Sequence, residues 1–477
     1  MKGVSAIILA AGQGKRMKSA LPKVAHPVLG QPMLWHVARS ASAAGIPEIV
    51  FVLGHGRDQV MGTVTRYGGK VAVQERQLGT GDAARAGLSV VSRRAREVVV
   101  LCGDAPLLRP KTLRDLIVAR RKAKAAAAVL TGILSDPAGY GRVVRRPDGT
   151  VARIVEERDA DASHRRILEV NSGTYAFDRA FLARNLPRLS DVNAQRELYL
   201  TDLVVQALEE GRIVVPVMAG TPDEVRGINS RGELAEATAI LLRAKIGALL
   251  DSGVTIVDPA RTYVETDVSV GADTLIEPGV ALLGATRIGR GVRIQAGCVV
   301  ENSRVEDGAH LLPYSVLSGA RVRKGASVGP FARLRPEADI GEGAHIGNFV
   351  EVKKSRLGKG SKANHLSYIG DSLVGRKVNI GAGTITCNYD GIAKHTTVIG
   401  DGVFVGSDTQ FVAPVTIGKG ALIGAGATIT KNVPPYALAL SRAEQKVLEN
   451  WVLRKKPELL VKAGLKIPRI SRKGEPR

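Results

Sequence analysis

The chain has 477 residues, a formal net charge of +23, 54 glycines and only 4% aromatic residues. That length suits two or three domains at roughly 150 residues each, and glycine in excess over aromatics favours repeated tight turns over a large aromatic core. The charge reads either as a solvated basic surface or as an attraction for phosphate-bearing ligands, and no helix-turn-helix, zinc-ligand or RNA-binding signature points to nucleic acid.

Cys102, Cys298 and Cys387 have neither metal-ligand spacing nor the even count of a disulfide framework. No run of about 20 apolar residues offers a membrane span, and the first residues enter an apolar strand without a cleavable leader. A cytoplasmic protein with no nucleic-acid or membrane partner is expected.

In chain order, VSAIILAAG (4–12) reads as a buried strand, PMLWHVARSASAAG (32–45) as an amphipathic helix ending at glycine, and EIVFVLG and EVVVLCGD as further strands. Apolar strands alternating with helices predict a mainly parallel sheet covered on both faces. Ligands of such sheets bind beyond the carboxyl ends of the strands. Two motifs fall there: AAGQGKRM after the first strand, and GDAP after the strand at 97–101. Residues 229–250, rich in Ala and Leu, read as a helix connecting this domain (1–228) to a second one.

Beyond residue 250 the pattern changes to a period of six. Aliphatic residues recur at Val264, Val270, Ile276, Leu282, Ile288, Ile294 and Val300, then at Val316, Val322, Val328, Leu334, Ile340, Ile346 and Val352. A third register runs Ile399, Val405, Phe411, Ile417, Ile423 and Ile429. Six is neither the helical nor the simple strand period; it is the hexapeptide signature of a parallel β-helix, three short strands to a triangular coil. The register slips between 300 and 316 and between 352 and 374, which marks insertions or distortions. Ile380 to Ile399 is one residue more than a full coil, so 382–398 is expected to include a projecting loop with functional polar residues. This second domain spans 251–442. A basic tail, 443–477, starts with a helical stretch around Trp451, and its final ten residues read as a solvated, partly disordered end.

The loop LAAGQGKRMKSALPKV (9–24) is neither a Walker motif nor a Rossmann fingerprint. Its glycines still let backbone N–H groups approach phosphate. The pattern G-x-G-(x)-R-M followed by P-K resembles sugar-1-phosphate nucleotidylyltransferases. QLGTGDA (77–83), CGDAP (102–106), GYGRV (139–143), VEERDA (155–160), EVNSGTY (169–175) and RGIN (226–229) follow in that family's order. The resemblance implies nucleotide binding by Leu9, Ala10, Ala11, Gly12, Arg16, Lys23, Gln74, Gly79 and Thr80. It implies sugar binding by Gly141, Glu156, Asn171 and Asn229, and Mg²⁺ held by Asp104 and Asn229. Two positions depart from the family: Lys15 replaces a threonine, and Cys102 an aromatic residue. Uridylyl transfer needs no protein nucleophile, so positioning and charge neutralisation are the residues' tasks.

The segments at 333–371 and 379–391 resemble a glucosamine-1-phosphate acetyltransferase. Together the two halves are similar to the bifunctional enzymes that acetylate glucosamine-1-phosphate with acetyl-CoA and couple the product to UTP. Acetyl transfer to an amine needs a base, and His365 is the candidate. By resemblance, Arg335, Lys353, Tyr368 and Asn379 bind the sugar phosphate. Ala382, Asn388, Tyr389, Ser407, Ala425 and Arg442 bind acetyl-CoA, and Asn388 also helps to orient the histidine. The implied architecture is a Rossmann-like α/β nucleotidyltransferase domain joined by a helix to a left-handed parallel β-helix, assembled as a homotrimer. The competing readings are a single-activity nucleotidylyltransferase with a structural β-helix, which would lack His365, Asn388 and Tyr389, and a non-enzymatic regulatory relative, which would lose Lys23 and Asp104.

Overall fold

A computed structural model describes residues 1–12, 14–54 and 56–467; the final ten residues of the tail lie outside it. The described residues form two compact units, Met1–Gly291 with Val299–Asn302, and Val292–Cys298 with the residues from Ser303 onward.

In the first unit the strand Val4–Ala10 runs parallel to Glu48–Leu53 on one side and to Glu97–Cys102 on the other. Both faces of these strands are covered, so they are continuously apolar instead of alternating. Ile8, Phe51 and Leu101 pack into one layer of the core, and Ile7, Val50 and Val100 into the other. The sheet is mixed: Glu169–Asp178 inserts antiparallel between Glu97–Cys102 and Ala127–Ile133. The predicted helix near the start forms at Met33–Ala43. The connector is a helix over Arg231–Asp251, whose Ser230 and Glu233 make a reciprocal capping box. The unit also contains the first β-helix rungs, such as Tyr263–Val264 paired in parallel with Ala281–Leu282.

In the second unit every rung pairs in parallel with the rung one coil later, as in Arg333↔Glu351 and Glu351↔Tyr368. The inward positions carry aliphatic residues, including the fully buried Val322, Leu334, Ile346 and Val352. One position differs from the sequence reading. Val316 faces outward at 39% exposure, while Leu317 is buried. The slips are local shortenings: Val300 to Val305, Leu317 to Val322, Val352 to Leu357 and Ile369 to Val374 each take one residue fewer than the period of six. The long gap is a true insertion. Thr386 points inward, the chain then leaves the coil through a loop closed by a Tyr389↔Lys394 bridge, and Thr397 resumes the sheet against Ser372. The tail has two short helices, Trp451–Lys455 and Glu458–Lys462.

Candidate active sites

The first site lies at the carboxyl end of Val4–Ala10, where the chain leaves the sheet as Ala11 and Gly12. The loop closes with Met17 N–H donating to Gly14 O at 2.9 Å. Gly14 has φ +64°, and a Cβ there would lie 2.5 Å from Lys23 Cβ, so only glycine lets the loop fold onto the lysine. Lys23 forms an ion pair with Asp104, and its Nζ donates to Asn229 Oδ1 at 2.5 Å. The ammonium therefore sits between the carboxylate and the amide oxygen expected to hold a metal. Asn229 is aimed by its own Nδ2, which donates to Gly227 O at 3.0 Å.

Two cavities open beside this cluster, and Leu9 and Thr80 line both. The first, about 230 Å³, is lined by Ala11, Gly12, Gln74, Gln77 and Gly79. Gln74 is fixed by bonds from Nε2 to Gly79 O (3.2 Å) and Asp82 Oδ2 (3.0 Å). The second, about 190 Å³, is lined by Cys102, Gly141, Glu156, Asn171 and Tyr175. Burial raises the Glu156 pKa, opposed by the Thr201 hydroxyl that donates to it at 3.1 Å. Burial, with Asp104 nearby, pushes the Cys102 thiol up to about 12, so this sulfur is a neutral wall. Arg16 is exposed beside the loop. Sequence reasoning missed Tyr140, whose hydroxyl accepts from Gly227 N–H at 3.2 Å and which lines the second cavity. It also passed over Gln77 within its quoted motif; Gln77 Nε2 donates to Ala11 O at 2.6 Å.

The second site lies on the β-helix. His365 is exposed and ends the strand Lys362–His365, opposite Asn348 one coil below. His365 Nδ1 lies 2.8 Å from Asn348 Oδ1. With that oxygen as acceptor, Nδ1 carries the hydrogen and Nε2 is left to take a proton. Asn388 is occupied elsewhere: it is nearly buried, and its Nδ2 donates to Asp371 Oδ2 at 2.5 Å. In this structure the hydrogen-bond partner of the histidine is Asn348, and that of Asn388 is Asp371.

Arg335 and Lys353 stand on adjacent rungs of one sheet, with Tyr368 on the next. Arg335 pairs with Glu351 at 2.9 Å. The Tyr368 ring lies across Gly370, where a Cβ would meet its hydroxyl at 2.5 Å. Lys394, from the projecting loop, comes so close to Lys353 that the second amine lowers its pKa. Lys394 escaped sequence reasoning because only the loop's fold brings it there. Asn379 pairs with Lys362 on the strand ladder that His365 ends.

The expected acetyl-CoA residues follow one corner of the coil. Leu366, Gly383, Asp408 and Gly426 are successive left-handed corner residues. They are linked by Gly383 N–H to Leu366 O (3.1 Å), Asp408 N–H to Ala382 O (2.7 Å) and Gly426 N–H to Ser407 O (2.9 Å). His365, Ala382, Ser407 and Ala425 each immediately precede one of them. Arg442 lies against Gly424 and Gly426, beside Ala425. Tyr389 is exposed on the loop, with its hydroxyl donating to Gly391 O at 2.5 Å.

Such a chain joins a nucleotide-handling α/β domain to a hexapeptide-repeat transferase. Family comparison agrees: residues 6–174 match the MobA-like NTP transferase domain, and residues 267–302 and 396–431 match the bacterial transferase hexapeptide (six repeats). Over 95% of its length the chain is 49% identical to Bifunctional protein GlmU of Trichlorobacter lovleyi, covering 98% of that protein. It is likewise 49% identical to the Anaeromyxobacter protein of that name over 95% of this chain and 93% of the other. With the Pelobacter propionicus protein the identity is 46%, over 96% and 99%. The chain belongs to the bifunctional GlmU family, and its fold is the α/β nucleotidyltransferase domain followed by the left-handed β-helix. No described helix is long and apolar enough to cross a membrane.

Proposed function

We propose that this enzyme acetylates glucosamine-1-phosphate with acetyl-CoA and then transfers UMP from UTP to the product, giving UDP-N-acetylglucosamine and pyrophosphate. The observation that carries this reading is the Lys23–Asp104–Asn229 cluster, on a chain that also holds the His365–Asn348 pair.

In acetyl transfer, the sugar amine attacks the thioester carbonyl, His365 Nε2 takes the amine proton, the C–S bond breaks, and the proton passes on to coenzyme A, which leaves as the thiol. Asn348 holds the imidazole tautomer that makes Nε2 the acceptor. Arg335, Lys353 and Lys394 bind the phosphate, with Tyr368 and Asn379 at the sugar. Ala382, Ser407, Ala425 and Arg442 line the acetyl-CoA groove, with Asn388 and Tyr389 from the loop.

In uridylyl transfer, an oxygen of the sugar phosphate attacks the α-phosphorus of UTP and the bond to pyrophosphate breaks. Leu9 to Gly12, Gln74, Gly79 and Thr80 bind the nucleotide, and Arg16 and Lys23 offset the phosphate charge. Gly141, Glu156, Asn171 and Asn229 position the sugar. The donors at Asp104 and Asn229 fit a hard divalent cation. Both oxygens already face an ammonium, and they are one carboxylate and one amide oxygen. That is the sparse oxygen set preferred by Mg²⁺, whose remaining positions go to water and phosphate. Asp104 and Asn229 would hold such a cation where its charge would offset that of the phosphates.

We assign residues 1–228 to uridylyl transfer, 229–250 to the connector, 251–442 to acetyl transfer and 443–477 to the tail, in a cytoplasmic homotrimer. An exposed column supports assembly: Tyr314, Phe331 and Phe349 stack at 5.3 and 5.6 Å between ring centroids and continue into Leu366, next to His365. All four hold the positive φ of the coil's corners, which lines their side chains up along one edge. The test of function is one incubation of purified protein with glucosamine-1-phosphate, acetyl-CoA, UTP and Mg²⁺. Mass analysis should find UDP-N-acetylglucosamine; UDP-glucosamine alone, or no nucleotide sugar, would overturn the reading.

A further inference from the structure

A helix that only connects two domains needs a capped start, and Ser230 with Glu233 supplies one. The bonds of its first turn go further. Glu233 Oε2 accepts from Ser230 N–H at 2.8 Å, which is the cap, and also from Asn229 N–H at 2.5 Å, which lies outside the helix. The segment it grips is tied to the rest of the cluster: Ile228 N–H donates to Asp104 O at 2.9 Å, and Asn229 Oδ1 meets Lys23.

Two residues before Glu233, Arg231 reaches the phosphate loop. Its Nε donates to Met17 O at 3.3 Å, and its Nη1 lies 3.4 Å from His26 Nδ1. Met17 closes the glycine turn that begins at Gly14, and His26 N–H donates to Lys23 O at 3.3 Å. One guanidinium thus bridges the loop's turn and the turn that carries Lys23. Burial, and then Arg231 itself, lowers the His26 pKa, so the imidazole is neutral and its Nδ1 can accept.

We propose that Glu233 and Arg231 of the connector helix are positioning residues for uridylyl transfer: Glu233 sets Asn229, and Arg231 locks the phosphate loop against the same helical turn. This rests on the reading of Lys23, Asp104 and Asn229 as the uridylyl site. The helix is then a wall of that site, and a shift of its first turn moves a metal ligand and the phosphate loop together. Outer partners of metal ligands commonly contribute about 10–100-fold to affinity or rate.

The experiment uses the full chain with Glu233→Ala, Glu233→Gln, Arg231→Ala, Ser230→Ala and Asp104→Ala. It measures uridylyl kcat and KM, Mn²⁺ binding in the presence of UTP by electron paramagnetic resonance, and acetyl transfer as a report of folded protein. Glu233→Ala is expected to lower kcat and weaken Mn²⁺ binding by about 10-fold or more, with acetyl transfer unchanged. Glu233→Gln keeps an acceptor oxygen and should recover most of the loss. Arg231→Ala should chiefly raise the KM for UTP. Ser230→Ala removes the same helix cap but leaves the bond to Asn229, and should stay within about 2-fold of the parent, since a cap is a local stability term. Equal losses in Ser230→Ala and Glu233→Ala, or parental Mn²⁺ binding in Glu233→Ala while Asp104→Ala is inactive, would overturn the proposal alone. Uridylyl transfer surviving Asp104→Ala would overturn the site assignment and the proposal with it.

Discussion

Replacing Gly14 by alanine tests the phosphate loop with the smallest change available. At φ +64° an L-residue costs roughly 1–2 kcal/mol. The added methyl would also stand 2.5 Å from Lys23 Cβ and 3.3 Å from its Cα. Those atoms are the root of the side chain, not its flexible end, so the loop or the Lys23 turn must move. The Lys23 ammonium is held by the Asp104 carboxylate and Asn229 Oδ1, and a shift of about 1 Å at a reacting centre costs on the order of 100-fold in rate. Gly14→Ala should therefore lose about 100-fold in uridylyl kcat/KM and destabilise its unit by about 1–2 kcal/mol, the backbone term alone. Steady-state kinetics of both reactions on one preparation, with thermal unfolding, is the assay. Acetyl transfer should be unaffected, because its residues are carried by the other unit. Parental uridylyl kinetics in Gly14→Ala would refute the claim that loop closure onto Lys23 requires glycine.

Asp104→Ala should abolish uridylyl transfer and spare acetylation, and His365→Ala should do the reverse; loss of both activities in either folded variant counts against two separate sites. EDTA should stop uridylyl transfer and leave acetyl transfer running, which a coupled thiol-release assay reads directly. Asn348→Ala frees the imidazole to turn, and a lost hydrogen bond to a group that becomes charged is worth about 1.5–3 kcal/mol, so acetyl kcat should fall about 10-fold or more with the KM for acetyl-CoA unchanged. Phe331→Asp places a charge in the exposed aromatic column and should lower the mass seen by light scattering together with the acetyl transfer rate; a fully active monomer would defeat the trimer.

What the sequence made legible followed from local rules. Glycine after an apolar strand placed the phosphate loop, because a buried strand must end in a turn and its carboxyl end faces ligand. The period of six placed the β-helix, because its inward positions recur once per strand and are filled mainly by aliphatic side chains. The misread was Val316. Val316 and Leu317 are adjacent and both aliphatic, so periodicity alone could not decide which points inward, and a shortened step to Val322 moved the register by one. The contacts of the connector's first turn were equally hidden. Glu233 reads in sequence as half of a capping box, and nothing in that motif says that its second acceptor bond goes to Asn229.

The acetyl transfer site shows what rule was missing. In an α-helix, residues three or four apart are neighbours; in these coils the neighbour is seventeen or eighteen residues away. Asn348 lies below His365 by that count, Asn388 meets Asp371 by it, and Arg335 stacks near Lys353 by it. Counting back one coil from the histidine would have found Asn348 as its partner from sequence alone. The count shifts at the first coil, where Thr255 pairs with Leu275, and at the last, where Leu422 pairs with Leu438, and it fails most where the chain leaves the coil between Thr386 and Thr397; there Lys394 joins Lys353. The regular coils thus bring His365 and Asn348 together by register. The irregular loop at 387–396 contributes what register cannot, a second amine beside the first.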